Sequence, residues 1–244
     1  MLTMKMSKDS VTKAKISFKS LVQGTFVRRD NRFRVQVQLD DGGRVAAHLA
    51  NPGRLRELLV PGHAVWLRPA HAPQRRTNYD LVLVLYEGLY VSMNSQLPNR
   101  LVEKALRQRC LPDFAAYTEV QREIRLGESR LDFKLGGTGT PCWIEVKSVT
   151  LVVNGIARFP DAPTTRGRRH LHELANIIAG GDRGAVIFVV QRADAVSFAP
   201  NDETDPSFGE ALRQARKAGV EVSALRCRVT PQAIHLLDKV PVCL

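Results

Sequence analysis

The sequence contains few cysteines, no long apolar run and no glycine-rich nucleotide-binding motif. Its four cysteines are widely separated and form no C-x-x-C pair, which argues against a zinc site and favours reduced thiols in a cytoplasmic protein. No segment approaches the roughly 20 apolar residues that span a bilayer, so we expect no membrane-spanning segment. The motifs G-x-x-x-x-G-K-S/T and G-x-G-x-x-G are absent, which makes a small phosphorylated metabolite a less favoured substrate but leaves it open.

Acidic residues are scarce relative to basic ones. The 244 residues include 36 Lys and Arg against 24 Asp and Glu, a formal net charge of +12. The excess is uneven, because residues 1–92 hold 15 basic and 7 acidic residues. This balance indicates a polyanionic partner, which is nucleic acid, a phosphorylated ligand or an anionic membrane surface.

Residues 20–92 are predicted to form a small all-β unit that is rich in arginine and poor in aromatic residues. Phe33, Val35, Val37 and Leu39 alternate as on one face of a strand. About five short strands, with a short helix before the fourth, favour an OB-like barrel, although an SH3-like barrel would give nearly the same pattern. Guanidinium groups suit phosphate, and the alternative is a solvated basic surface that keeps the protein soluble. Phe26, Phe33, Trp66 and Tyr79 are too few to favour a stacking platform for single strands. The candidate phosphate contacts here are Arg28, Arg29, Arg32, Arg54, Arg56, Arg75 and Arg76.

Two further regions flank this unit. Residues 1–19 are predicted to be a basic, frayed tail. Residues 93–244 are predicted to form a mixed α/β domain with the order helix, three strands, helix, strand, helix, strand, strand. The boundary between barrel and second domain falls around residues 88–97, where Gly88 and Pro98 interrupt the pattern.

The stretch 130–147 is predicted to be a β-hairpin, because two alternating apolar runs flank a loop of Gly, Thr and Pro, and its second strand is predicted to continue to Val153. If the loop is symmetric about Thr138 and Gly139, Asp132 lies directly across from Glu145. Lys147 shares that polar face, since side chains alternate along a strand. The opposite face is predicted to be the core face, and it collects Leu131, Phe133, Leu135, Ile144 and Val146.

Carboxylates directly opposite each other on a hairpin repel, so something must offset their charge. A divalent cation shared by Asp132 and Glu145 would do so, since hard cations take carboxylate oxygens. Lys147 would then hold a water or a phosphate oxygen. The alternative is a solvated face on which Lys134 and Lys147 neutralise the two acids.

A second phosphate site is predicted at the start of a helix that runs from about Thr164 or Thr165 to Ala179. Arg166 and His170 lie one turn apart on one face at the positive end of this helix, and helix N-termini hold anions well. His170 and His172 are only two residues apart, so they cannot form a metal pair on one helix face.

The order α-β-β-β-α-β, with Asp132 on the second strand and Glu145-Val146-Lys147 on the third, resembles the PD-(D/E)-x-K nuclease fold of restriction endonucleases. A wider set of motifs in the same order resembles the sugar fermentation stimulation protein family over residues 21–237. Thr165 departs from that family, whose members often carry Glu at this position. The motifs are residues 94–102, 129–133, 145–151, 159–171, 191–194 and 202–203.

The resemblance implies an OB-like domain joined to a nuclease-fold domain, DNA as partner and a link to the regulation of sugar utilisation. Asp132, Glu145 and the Val146 carbonyl would bind Mg²⁺ or Mn²⁺, and Lys147 would orient the attacking water. Glu103 is expected to add a carboxylate from the preceding helix, and Gln191 a polar contact from a strand end.

Three functions remain open at this stage. The first is a metal-dependent nuclease acting on DNA, with RNA as the alternative substrate. The second is a DNA-binding regulator with an inactive nuclease fold, although no recognition helix is evident. The third is an enzyme acting on a small phosphorylated metabolite. The sequence carries no prediction of oligomeric state.

Overall fold

The computed structural model describes residues 14–126 and 129–244, which form a mixed α/β protein. Its helices are α1 Leu97–Arg107, α2 Thr165–Ala179 and α3 Pro206–Lys217. Its strands are β1 Ala14–Ser17, β2 Val22–Asn31, β3 Arg34–Leu39, β4 Arg44–His48, β5 Ala64–Pro69, β6 Tyr79–Tyr86, β7 Leu89–Ser92, β8 Glu119–Leu126, β9 Ser129–Gly136, β10 Cys142–Val149, β11 Val152–Val153, β12 Ile156–Phe159, β13 Arg183–Val190, β14 Ser197–Pro200, β15 Glu221–Val229 and β16 Ala233–Val240.

Five strands close into the predicted OB-like barrel. They lie in the order β4-β3-β2-β5-β6, a pairing of β4 with β6 closes the ring, and β7 extends it beside β6. Val35, Val37 and Leu39 alternate into a core that also contains Phe26 and Val65. The alternating pattern of the sequence therefore accounts for the inside of the barrel.

The second domain is built on a seven-stranded sheet in the order β1-β16-β15-β13-β10-β9-β8. Strands β10, β13 and β15 are parallel, as expected for a sheet whose two faces are both covered. One face packs against α1, and the other packs against α2 and α3. The barrel contributes Trp66, Val82 and Leu83 to the core on the α1 side, so the two domains share a hydrophobic core.

The predicted hairpin of β9 and β10 has the expected register. Leu135 pairs with Cys142, Lys134 with Trp143 and Phe133 with Ile144. Beyond Phe133 the strands β9 and β10 diverge. Asp132 is also left out of the pairing of β9 with β8, where the residue opposite it is Glu123, whose φ is 51°. The backbone of β10 after Ile144 is therefore free of its hairpin partner, which leaves room for a site.

The face assignment of this hairpin was partly wrong. Leu131 packs on the α2 side, whereas Phe133 packs on the α1 side, because β9 is irregular at Asp132 between them. The polar face is not solvated either. Helix α2 covers it, and Glu145 is only 3% exposed.

Three segments differ from the sequence-based expectations. The tail was predicted over residues 1–19, of which 1–13 lie outside the described residues. Within it, Ala14–Ser17 forms strand β1, which pairs with β16. This strand is held in place because Ala14 and Ile16 contribute to the core. The third strand was expected to continue to Val153, but β10 ends at Val149. Strand β11 instead turns through Asn154 and Gly155 into β12, and β14 completes this small sheet.

Candidate functional site

A cleft of about 290 Å³ opens where β9 and β10 diverge. Its floor is residues 145–151 at the end of β10, and its walls come from the start of α2 and from residues 51–53 of the barrel. Helix α2 begins here because the Thr164 hydroxyl accepts a hydrogen bond from the Gly167 backbone N–H at 3.0 Å. The cleft is therefore formed by both domains.

Glu145 lies at the centre of the cleft and is bonded through one oxygen only. The Lys147 ammonium donates to its Oε1 at 2.6 Å, and His170 Nδ1 contacts the same atom. Its Oε2 has no hydrogen-bond partner among the described residues although it is buried. Burial alone would raise the pKa of Glu145, but the charge of Lys147 and the hydrogen bonds from Lys147 and His170 hold that pKa below its ordinary value.

Asp132 meets Glu145 across the gap between the diverging strands. Its Oδ2 accepts the backbone N–H of Val146 at 2.8 Å, and its Oδ1 accepts the side-chain amide of Asn99. Burial raises the pKa of Asp132 to about 7, and the charge of Glu145 acts in the same direction. The two carboxylates therefore have pKa values shifted in opposite directions.

These oxygens fit a hard divalent cation. An unbonded, buried carboxylate oxygen on Glu145 and a neighbouring carboxylate with a raised pKa both indicate missing positive charge. Because the Val146 N–H points towards Asp132, its carbonyl points to the same side of β10 and can serve as a third ligand. Across residues 14–126 and 129–244, no three His, Cys, Asp or Glu side chains are grouped to hold a metal ion. The remaining ligands would be waters and phosphate oxygens, as is usual for Mg²⁺.

His170 is buried beneath Glu145 in a defined tautomer. Arg166 Nε donates to His170 Nε2 at 3.3 Å, and because arginine has no acceptor, this ring nitrogen must accept. Glu145 Oε1 can only accept, so Nδ1 carries the hydrogen and donates it to that oxygen. The Lys147 ammonium lies 3.3 Å from the same ring nitrogen, but it donates to Glu145 Oε1. The predicted phosphate contact at His170 is thereby corrected, since a side chain that is 1% exposed cannot reach substrate and instead fixes Glu145.

Positive groups in the cleft come from three elements. Lys147 lies on β10, Arg158 on β12 and Arg166 in the first turn of α2, and all three line the cleft. The backbone of α2 adds the positive end of a helix. A phosphate group in this cleft would therefore meet charge on several sides.

The barrel wall of the cleft is held by Arg29 and Asp161. Arg29 donates all five of its N–H groups to backbone carbonyls, and Gly53 accepts one of them at 2.8 Å. Asp161 accepts the Leu55 N–H at 3.4 Å, and burial raises the pKa of Asp161 above its ordinary value. Arg29 was predicted to bind phosphate, but it has no donor left to do so and instead shapes this loop.

Two residues expected in the site lie outside it. Glu103 accepts hydrogen bonds from Arg107 and Arg122 on the surface, and Asn99, one turn earlier on α1, occupies the expected place beside Asp132. Gln191 is fully buried and donates to the Ser148 hydroxyl at 2.9 Å. It supports a residue that lines the cleft and does not line the cleft itself.

The remaining barrel arginines are exposed, as the sequence predicted. Arg28 pairs with Asp30 at 2.9 Å, and Arg75 pairs with the buried Asp80. Their contact with phosphate stays a prediction. The other exposed members of the set are Arg32, Arg54, Arg56 and Arg76.

Sequence reasoning missed Asn99, Arg158 and Asp161 as parts of the cleft. Asn99 and Asp161 lie within the family-like motifs 94–102 and 159–171, which was a signal for both. Nothing in the local pattern around Arg158 distinguished it, because its place depends on the small sheet of β11, β12 and β14.

An OB barrel joined to an α-β-β-β-α-β domain, with carboxylates on the central hairpin, defines a two-domain protein of restriction-endonuclease-like architecture. The sugar fermentation stimulation protein RE domain matches residues 96–233, and the SfsA N-terminal OB domain matches residues 27–93. The chain therefore belongs to the sugar fermentation stimulation protein family.

Relatives match over nearly the whole chain. Sugar fermentation stimulation protein homologs of Moorella thermoacetica and Chloroflexus aurantiacus are both 49% identical, each over 91% of this chain and over 97% and 85% of their own length, respectively. The structure of Pyrococcus furiosus SfsA in complex with Ca²⁺ is similar with a TM-score of 0.86 and 29% identity, covering 94% of this chain and 98% of that one. In the part of the chain that the structure describes, no helix is long and apolar enough to cross a membrane.

Proposed function

We propose that this protein is a divalent-metal-dependent phosphodiesterase that acts on DNA. Residues 93–244 form the catalytic domain in this proposal, and residues 20–92 form a barrel that binds nucleic acid. The observation that carries the proposal is the buried, unbonded Oε2 of Glu145 beside Asp132. The net charge of +12 agrees with a polyanionic substrate.

Asp132, Glu145 and the Val146 carbonyl would hold Mg²⁺ or Mn²⁺. The Ca²⁺ bound by the Pyrococcus furiosus relative is a hard cation that prefers the same oxygen ligands, which supports a divalent ion here. Such an ion would polarise the scissile phosphate and lower the pKa of an attacking water.

Lys147 supplies the positive charge nearest to the two carboxylates. Its ammonium lies 2.6 Å from Glu145 Oε1 and its side chain is 11% exposed, so it can orient a water beside the carboxylate without leaving the cleft. It would also stabilise the negative charge that develops on the phosphate. Arg158 and Arg166 would hold the phosphate, and His170 would keep Glu145 in place.

The test is cleavage of labelled DNA in the presence of Mg²⁺ or Mn²⁺. Asp132→Asn, Glu145→Gln and Lys147→Ala are expected to lower the cleavage rate by at least a hundredfold, because each removes a ligand or a charge from the transition state. Mn²⁺ titration by calorimetry should show weaker binding for the two carboxylate variants and little change for Lys147→Ala.

Glu103→Gln is the matched control, since Glu103 is a carboxylate of the same domain outside the cleft. It is expected to cut DNA at the wild-type rate. Equal cutting by wild type, Asp132→Asn and Lys147→Ala would identify a contaminating nuclease and would contradict the proposal.

A second candidate is a DNA-binding protein that does not cleave. The contact that favours it is the ion pair of Glu145 Oε1 with Lys147, because the lysine charge already neutralises part of the site without a metal ion. In that case Asp132→Ala keeps full DNA affinity, the affinity falls steeply with salt, and no metal ion supports cutting.

A further inference from the structure

A groove of about 380 Å³ lies on the barrel between two of its loops. One side is the hairpin of β2 and β3 at Asn31, Phe33 and Arg34, with His48 of β4 beside it. The other side is the segment that joins β5 to β6, which contributes Arg75 and Arg76. This groove does not share a lining residue with the cleft of Glu145.

Phe33 is 45% exposed in this groove. It follows the alternation of β3 in the sequence, yet it lies in the turn before that strand and points away from the barrel core. Phe26 and Trp66, by contrast, are 2% and 9% exposed. The guanidinium carbon of Arg32 lies 5.6 Å from the Phe33 ring centre, and the His48 ring centre lies 6.4 Å away. An exposed aromatic ring with cationic neighbours is the arrangement that stacks an unpaired base.

The charge around Phe33 is positive. Arg34 is 3.4 Å from Asp30, and Arg75 pairs with Asp80, so these two carboxylates are already engaged. Arg32 and Arg76 form no ion pair with any described residue. Two guanidinium groups beside the ring are therefore available for a phosphate backbone.

The β2–β3 hairpin that carries Phe33 contacts a loop of the cleft. Arg32 Nε donates to the Pro52 carbonyl at 3.4 Å, and Arg29, three residues earlier on the same hairpin, holds the Gly53 carbonyl. Pro52 and Gly53 both line the cleft of Glu145. A strand that leaves the cleft along this loop would therefore reach Phe33 directly.

We propose that Phe33 is a stacking subsite for one base of single-stranded DNA whose backbone continues into the cleft. The inference rests on the proposed action on DNA and adds that the substrate is unpaired near the site. In a duplex, both faces of each base are covered by its neighbours, so an exposed ring has no face to stack on. Arg32 and Arg76 neutralise the phosphates on either side of the stacked base.

The test is equilibrium binding of a fluorescent 15-nucleotide single strand and of the matching duplex, in EDTA so that no cleavage occurs. Phe33→Ala is expected to weaken single-strand binding about tenfold, and Phe33→Trp to restore it. Binding of the duplex should be unchanged in both variants. Val60→Ala, which removes another exposed apolar side chain of the same barrel, is the control and should bind as wild type.

Phe33→Trp gives a second readout. Both natural tryptophans, Trp66 and Trp143, are buried, so emission from an added exposed indole should be quenched by a stacked base. Single-strand binding by Phe33→Ala within twofold of wild type would overturn the inference, and so would an equal loss of duplex binding. An RNA single strand of the same sequence is the third probe, and tenfold tighter binding of this RNA than of the DNA single strand would also overturn the inference.

Failure of the catalytic proposal gives a different result. If no metal ion supports cutting but single-strand binding still depends on Phe33, the stacking subsite stands and the phosphodiesterase does not. If wild type and Phe33→Ala cut and bind a single strand equally, the phosphodiesterase stands and the subsite does not.

Discussion

At the scale of single residues, the proposed site depends most on the hydrogen bond between His170 and Glu145, which fixes the position of the carboxylate. His170 donates through Nδ1 and accepts from Arg166 through Nε2, so one side chain links the helix N-terminus to the carboxylate. Groups that orient a ligand from behind typically change metal affinity by about 10- to 100-fold when they are removed.

His170→Ala is therefore expected to weaken Mn²⁺ binding by about tenfold or more, as measured by calorimetry. His170→Asn should recover most of the affinity, because the Asn side-chain amide can donate from nearly the position of Nδ1. His170→Gln places its donor near Nε2 and should not recover it. Equal affinity in all three variants and wild type would remove His170 from the site.

The thiols divide into two classes by burial. Burial raises the pKa of Cys142 to about 12, and the pKa of Cys227 is raised further for the same reason. A thiol with a raised pKa stays protonated and is a poor nucleophile. Cys110 is partly exposed and Cys243 is exposed.

Titration of the native protein with a disulfide reagent at pH 8 is expected to modify no more than two thiols, and all four after unfolding in guanidinium. Peptide mapping should place the native modification on Cys110 and Cys243. Rapid native modification of Cys142 or Cys227 would show that the core around β10 or β15 opens readily.

The loop that closes the cleft is the element whose conformation depends most on one side chain. The five N–H groups of Arg29 hold carbonyls of two segments, residues 31–32 and 51–54. Burial lowers the pKa of Arg29 below its ordinary value, but the group remains charged at any physiological pH.

Arg29→Ala is expected to lower the free energy of unfolding by ~2 kcal/mol in urea titrations, since it leaves several half-buried carbonyls without a donor. Arg28→Ala is the matched control, because Arg28 is exposed and its pair with Asp30 is an exposed ion pair of the kind that contributes little to stability. Equal stability of the two variants would show that the loop holds its shape without Arg29.

Among the elements, the sequence predicted the hairpin well and its surroundings poorly. The register of β9 and β10 followed from a loop with equal sides and from side-chain alternation, both of which are local. The burial of Glu145 under α2 is a tertiary contact, and the sequence of the hairpin does not predict it. The sequence Asn154-Gly155 did signal the turn that ends the third strand early, since Asn-Gly favours a two-residue hairpin turn, and that signal was overlooked.

The barrel shows the same division between local and tertiary information. Alternation predicted the buried residues Val35, Val37 and Leu39, but it also placed Phe33 in their row. The chain turns at Arg32 and Phe33, and β3 begins only at Arg34. Phe33 therefore lies outside the strand, and its ring does not enter the core. The exposed ring could not be foreseen from the pattern of apolar residues.

The whole molecule depends on contact between its two domains. Trp66, Val82 and Leu83 of the barrel share a hydrophobic core with α1. Strand β1 precedes the barrel in sequence, yet it forms the edge of the second domain's sheet, beside β16. Removing the barrel and everything before it would uncover both the apolar surface and the edge of β16, which are features that promote aggregation.

A fragment of residues 93–244 is therefore expected to aggregate or to bind the dye ANS strongly, as measured by size exclusion and fluorescence. The intact chain is the reference for both measurements. A fragment that eluted as a folded monomer without dye binding would show that the second domain needs neither β1 nor the barrel.

Strand β1 makes the nuclease-like domain discontinuous in sequence, with the barrel as an insertion between β1 and α1. An inserted domain is anchored at both of its ends, so it cannot swing about one flexible hinge as a terminal appendage can. A reporter attached to β1 would accordingly sit at the edge of the seven-stranded sheet, and it would follow the body that carries Glu145 rather than the barrel.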